Sequence, residues 1–176
     1  MEINIGSVRS VKGSQADYHL EVDSFDFMDS QWQLAKPLVA DVHLTHQGQF
    51  IGFTAHVQTA VVSNCDRCLV QVTIPVELDI TEQLLYANDV SLFSHLAIGE
   101  VEEKYYLYYN DTLDIADMVR EYILADLPQK VVCQDDCRGL CPACGQNLNQ
   151  KQCQCDLTEI DPRLAILAKL KATEEV

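Results

Sequence analysis

Residues 51–80 read IGFTAHVQTAVVSNCDRCLVQVTIPVELDI. Apolar side chains alternate with polar ones on both sides of a cysteine-bearing turn. The first run places Ile51, Phe53, Ala55, Val57, Thr59 and Val61 on one face. The second places Val70, Val72, Ile74, Val76, Leu78 and Ile80 inward, with Gln71, Thr73, Glu77 and Asp79 between them. A period of two over this length predicts antiparallel strands with one face buried and one wet. Pro75, on the polar side, cannot donate to a ladder and marks an edge strand or a bulge.

Upstream, Leu38, Ala40, Val42 and Leu44 alternate in the same way, and His46-Gln-Gly-Gln49 is a hairpin turn with Gly48 as its permissive backbone. The first 35 residues add a strand or two. Residues 81–103 form an acidic connection with a short helix around 90–96, and Tyr105–Tyr109 reads as a further strand. From Asp114 to Leu127 a helical period aligns Ile115, Val119, Tyr122 and Ile123, and Pro128 ends it. The fold class expected is α+β: an antiparallel β-rich body over 1–130 with one or two helices, and a loop-rich, cysteine-rich appendage over 131–176. Asp161-Pro162 starts a short terminal helix in that tail.

With 176 residues and 48% hydrophobic composition the chain has enough apolar material for a real core. No uninterrupted apolar run approaches the ~20 residues of a membrane-spanning helix, so no membrane partner is expected. The N-terminus lacks a secretory pattern, which points to the cytoplasm. Twelve basic against 27 acidic side chains give a net charge of −15. That excess disfavours a general nucleic-acid sleeve and favours basic partners or plain solubility.

Eight cysteines occur as four short-spaced pairs: Cys65/Cys68, Cys133/Cys137, Cys141/Cys144 and Cys153/Cys155. In a reducing compartment such pairs read as metal ligands rather than disulfides. Zinc takes four tetrahedral ligands and thiolates suit its structural sites, so eight thiolates suffice for two four-cysteine sites. If pairs stay intact, three pairings exist. The one preferred joins Cys65/Cys68 with Cys133/Cys137, and Cys141/Cys144 with Cys153/Cys155, because the second site then closes over a short loop. A redox Cys-x-x-Cys belongs at a helix N-terminus, and Cys65–Cys68 lies between strands instead. Four cysteines would also hold an iron–sulfur cluster, although Cys141-Pro-Ala-Cys144-Gly145 has the form of a zinc-ribbon knuckle. His43 and His46 lie on opposite faces of one strand, and His56 faces outward with Gln58, so the histidines read as surface residues. No Ser-His-Asp set or phosphate-binding glycine loop is present, so neither a catalytic residue nor a small-molecule substrate is expected.

The segment Cys133-Gln-Asp-Asp-Cys137-Arg-Gly-Leu-Cys141-Pro-Ala-Cys144-Gly145-Gln-Asn147-Leu148-Asn149, then Cys153-Gln-Cys155 and Ile160-Asp161-Pro162-Arg163-Leu164, closely resembles the YceD family. Cys65-Asp-Arg-Cys68-Leu69 fits that family's first motif, and order and spacing agree from about Ala60 to Leu170. The resemblance implies a cytoplasmic, non-enzymatic protein acting in synthesis, processing or stability of large-subunit ribosomal RNA. Two routes of action are compatible with it. An acidic surface within 61–130, with Glu102 and Glu103 in its most acidic stretch, would hold a basic ribosomal protein. Alternatively Arg138, Lys151, Arg163, Lys169 and Lys171 would dock the zinc-bound end on precursor RNA. The competing class is a zinc-dependent thiol redox or zinc-storage protein.

Overall fold

The computed structural model describes residues 1–89, 101 and 104–155. Strand β1 (Glu2–Asn4) and helix α1 (Gly6–Ser10) lead into four long strands: β2 (Gln15–Val22), β3 (Gln33–His46), β4 (Ile51–Asn64) and β5 (Gln71–Tyr86). Two short strands, β6 (Tyr106–Tyr108) and β7 (Thr112–Asp114), precede helix α2 (Ala116–Asp126). The main sheet runs β2-β3-β4-β5-β6, and β1 pairs with β7 in a separate two-stranded ribbon. The four long strands form an antiparallel meander, whereas β6 joins β5 in parallel. The chain divides into two compact units. One is Met1–Asn64 with Gln71–Val131; the other is Cys65–Val70 with Val132–Val176. The turn between β4 and β5 therefore groups with the cysteine-rich tail.

In the first unit the alternation seen in the sequence becomes burial. Leu38, Ala40, Val42 and Leu44 of β3 and Ile51, Phe53, Ala55 and Val57 of β4 are buried in one core. Val76, Ile80 and Leu84 of β5 and Met118, Val119 and Ile123 of α2 belong to the same core, as do Ile3, Ile5 and Val8 near the N-terminus. Each fully buried large side chain contributes about 1.5–3 kcal/mol. Glu82 is a polar residue at an inward position of β5, in register with Phe53, and accepts the Tyr122 hydroxyl hydrogen at 2.5 Å. That bond pushes the tyrosine's pKa up to about 12.

Two positions depart from the expected inward sets. The β3–β4 register is irregular between Leu34 and Val39. Lys36 faces Ala60 and Val39 faces Gln58, so Pro37 and Leu38 on one strand span Thr59 alone on the other. Past this bulge Ala60 and Val61 are both buried, while Thr59 is half-buried and donates its hydroxyl hydrogen to the Lys36 carbonyl at 3.0 Å. Val70 lies in the turn and is 43% exposed. Pro75 sits where β5 has β4 on one side and, among the described residues, no strand on the other, which tolerates its missing N–H.

The hairpin turn after β3 carries Gly48 at φ +103°. Helix α2 starts two residues later than expected, and the Asp114 carboxylate accepts the Ala116 N–H at 2.9 Å. The short helix at 90–96, the acidic residues Glu102 and Glu103, and the terminal helix with Arg163, Lys169 and Lys171 lie outside the described residues. Among the described residues no helix is long and apolar enough to cross a membrane.

Candidate metal centres

Two knuckles with the same backbone supply half of the sulfurs. In the first, Cys65 N–H donates to Val70 O at 2.8 Å and Leu69 N–H donates back to Cys65 O at 2.9 Å. In the second, Cys141 N–H donates to Gln146 O at 2.8 Å and Gly145 N–H donates back to Cys141 O at 2.8 Å. Both turns end on a left-handed residue, Leu69 at φ +60° and Gly145 at φ +72°. This bend turns the N–H groups of Arg67 and Cys68 toward the Cys65 sulfur, and those of Ala143 and Cys144 toward the Cys141 sulfur. Burial opposes ionisation of Cys65, but the N–H groups of Arg67, Cys68 and Cys133 outweigh it and bring the thiol pKa down to about 6. The N–H groups of Cys144 and Ala143 do the same for Cys141, also to about 6.

Four sulfurs then converge twice. Cys65, Cys68, Cys133 and Cys137 form one group and Cys141, Cys144, Cys153 and Cys155 the other, all sulfurs of a group lying within 4.8 Å of one another. In the first group Cys65 Sγ is 3.9 Å from Cys137 Sγ, and Cys68 Sγ is 3.6 Å from Cys133 Sγ. A disulfide needs about 2.05 Å. Four thiolates around a tetrahedral ion at bonds of ~2.3 Å lie about 3.8 Å apart, so the first group fits such an ion. Each group also holds a thiol that resists ionisation. Burial, then its hydrogen bonds to neighbouring sulfurs, pushes Cys133 up to about 12. Cys155 is raised to about 12, first by its bond to Cys144 and then by burial. Like charges this close cannot all form without a compensating cation. Each group of four could hold a metal ion, and this grouping is the preferred one of the three pairings.

The tail is tied to the first knuckle by residues that the spacing of cysteines does not reveal. Arg67 donates through Nη1 to the carbonyls of Asp135 at 3.1 Å and Cys137 at 3.0 Å. Its own carbonyl accepts the Leu140 N–H at 3.0 Å. Gly139 passes beneath that carbonyl at φ +74°, and a Cβ there would stand 3.0 Å from it. Asn149 donates to Cys137 Sγ at 3.2 Å. Of the basic residues expected on the tail, Arg138 and Lys151 are exposed. The three histidines on the outer face of the sheet belong to neither cysteine group and pair with carboxylates instead. His19 meets Asp41 at 2.6 Å, His43 meets Asp17 at 2.6 Å and His56 meets Asp79 at 2.8 Å.

Residues 53–171 match the family model described as large ribosomal RNA subunit accumulation protein YceD. An uncharacterised protein of Mycobacterium tuberculosis is 28% identical over 136 residues, covering 76% of this chain and 62% of that protein. The chain thus spans less than two thirds of that relative's length. The Bacillus subtilis protein YlbN is 23% identical over 155 residues, covering 88% of this chain and 86% of its own. An Arabidopsis thaliana protein named large ribosomal RNA subunit accumulation protein YCED homolog 1, chloroplastic, is 30% identical over 59 residues, 34% of this chain and 18% of its own. No solved structure matches the chain. With the family model matching well over half of its length, including both cysteine groups, the chain belongs to the YceD family.

Proposed function

We infer that the chain is a non-enzymatic factor supporting accumulation of large-subunit ribosomal RNA. In this reading it works in the cytoplasm as an acidic adaptor for a basic ribosomal protein, with two zinc ions holding its cysteine-rich unit together. The observation that carries the reading is the family match over residues 53–171, which spans both four-cysteine groups. Cys65, Cys68, Cys133 and Cys137 would hold one ion, and Cys141, Cys144, Cys153 and Cys155 the other. The all-sulfur donor sets favour a thiophilic ion, and the paired knuckles favour zinc among these. Bound zinc supplies a cross-link and the positive charge that lets four thiols ionise together. A redox role has less support, because Cys65 and Cys68 sit in a β-turn rather than at a helix N-terminus.

The adaptor reading draws on the outer face of the main sheet as well as on net charge. Across β2 to β5 the rows Glu21–Val39–Gln58–Glu77, His19–Asp41–His56–Asp79 and Asp17–His43–Thr54–Thr81 face solvent and contain no lysine or arginine. Such a surface attracts a basic protein and repels phosphate.

Purification of the tagged chain from growing cells, with protein and RNA both identified, tests the reading together with elemental analysis. Two zinc ions per chain and a basic large-subunit ribosomal protein that is released as salt rises are the expected result. Iron with acid-labile sulfide would refute zinc. Tight binding of naked large-subunit RNA at physiological salt, abolished by reversing Arg163, Lys169 and Lys171, would replace the adaptor with direct RNA docking.

A further inference from the structure

Asn149 lies between Cys144 and Cys153, inside the loop that the second cysteine group closes. Its side chain serves the first group. The Arg138 N–H donates to Asn149 Oδ1 at 2.8 Å, and a backbone N–H can only donate. That contact fixes the orientation of the amide and directs Nδ2 at Cys137 Sγ, 3.2 Å away. The loop is held in place for this reach. Leu148 N–H donates to Gly139 O at 2.9 Å, Asn149 N–H donates to Asn147 Oδ1 at 2.9 Å, and Lys151 N–H donates to Asn147 O at 3.1 Å.

On the reading that both groups bind metal, we propose that Asn149 couples the two centres. Closing Cys153 and Cys155 onto the second ion fixes the loop and presents the Asn149 amide to the Cys137 sulfur. Two positive charges against four thiolates leave the first centre with a surplus of negative charge. An N–H donor aimed at one sulfur offsets part of it and holds that ligand in place. The first centre therefore binds its ion more tightly once the second is filled, and by linkage the converse holds. The two ions load cooperatively.

The test is a zinc titration of the full chain against a competing chelator. Alkylation read by mass spectrometry reports the protection of each cysteine pair separately. In Asn149→Ala the protection of Cys65, Cys68, Cys133 and Cys137 is expected to need roughly 10- to 100-fold more free zinc, the usual cost of losing an outer-shell donor. The second centre should change much less. Asn149→Asp keeps an oxygen for the Arg138 N–H but turns a second acceptor on the sulfur, so it should weaken the first centre at least as much. Recovery of wild-type affinity by Asn149→Asp would show that only the Arg138 cap matters and would overturn the proposal. A double-mutant cycle adds the paired change Cys153→Ser with Cys155→Ser. That change should weaken the first centre in the wild-type chain and add nothing in Asn149→Ala. Additive losses would overturn the coupling while leaving two metal centres standing. A wild-type chain that takes up no metal would overturn the metal reading itself.

Discussion

At position 69 the first knuckle carries leucine where the second carries Gly145, on the same backbone. Both residues sit at positive φ and both return an N–H to the first cysteine of their pair. A side chain there costs about 1–2 kcal/mol, because Cβ crowds the following carbonyl. Leu69 is 63% exposed, so little packing offsets that cost. Leu69→Gly is therefore expected to stabilise the metal-loaded protein by up to about 1 kcal/mol, once the extra freedom of glycine in the unfolded chain is subtracted. Denaturant melts of the loaded chain check this, and a loss of stability would mean that the leucine side chain is held by contacts. Gly139→Ala is the opposite case. It adds a Cβ at φ +74° and 3.0 Å from the Arg67 carbonyl, so it should cost about 1–3 kcal/mol in the same melts.

Among the elements, the four-strand meander shows how far alternation reaches. The inward residues of β3, β4 and β5 were legible because each of these strands reports its own burial period, and α2 was legible from its 3.6-residue period and Pro128; β2 was expected only as one of a strand or two in the first 35 residues. The parallel seat of β6 was not, since three tyrosine-rich residues say nothing about which distant strand they join. The bulge at Lys36–Val39 was hidden for a related reason: it exists only in the register between two strands. Arg67 and Asn149 are equally silent in sequence, because their value lies in carbonyls and sulfur far along the chain. The outer face of the meander carries its own expected outcome. His19 and His56 have pKa values above the ordinary 6.5, each mainly through a hydrogen bond, to Asp41 and Asp79 respectively. A raised histidine pKa means that the folded state favours the charged form. The stabilising pairing is complete below the unfolded pKa and is lost as pH rises through the folded one. NMR titration should place both rings above 6.5. Asp41→Asn should return His19, and Asp79→Asn should return His56, toward that value; unshifted titrations in the variants would assign the effect elsewhere. Over the same range the sheet face gains negative charge with rising pH, which should strengthen its hold on a basic partner.

For the molecule as a whole, the two compact units differ in what they bury. The unit containing the meander and α2 encloses Phe53, Leu38, Leu44, Ile80 and Ile123 at full burial, a core of ordinary kind. In the other unit the buried positions among the described residues are Cys65, Cys68, Cys137, Gly139 and Cys141. Among the described residues its interior is sulfur, with no cluster of large apolar side chains to oppose chain entropy. On the proposed two-ion reading such a unit would depend on its ions for folding, and removing them should unfold it alone. Adding a strong chelator is expected to strip hydrogen-exchange protection from the amides of Leu69, Leu140, Gly145 and Leu148, whose acceptors all lie within the cysteine-rich unit. The ladder amides of β3 and β4 should keep theirs, because their bonds and the core behind them involve no cysteine. Restoring zinc should restore the lost protection, which separates metal dependence from irreversible thiol oxidation. Simultaneous loss across both units would mean that the meander draws its stability from the metal centres. Unchanged protection at all four knuckle and tail amides would mean that hydrogen bonds from Arg67 and Asn149 hold the second unit without any ion.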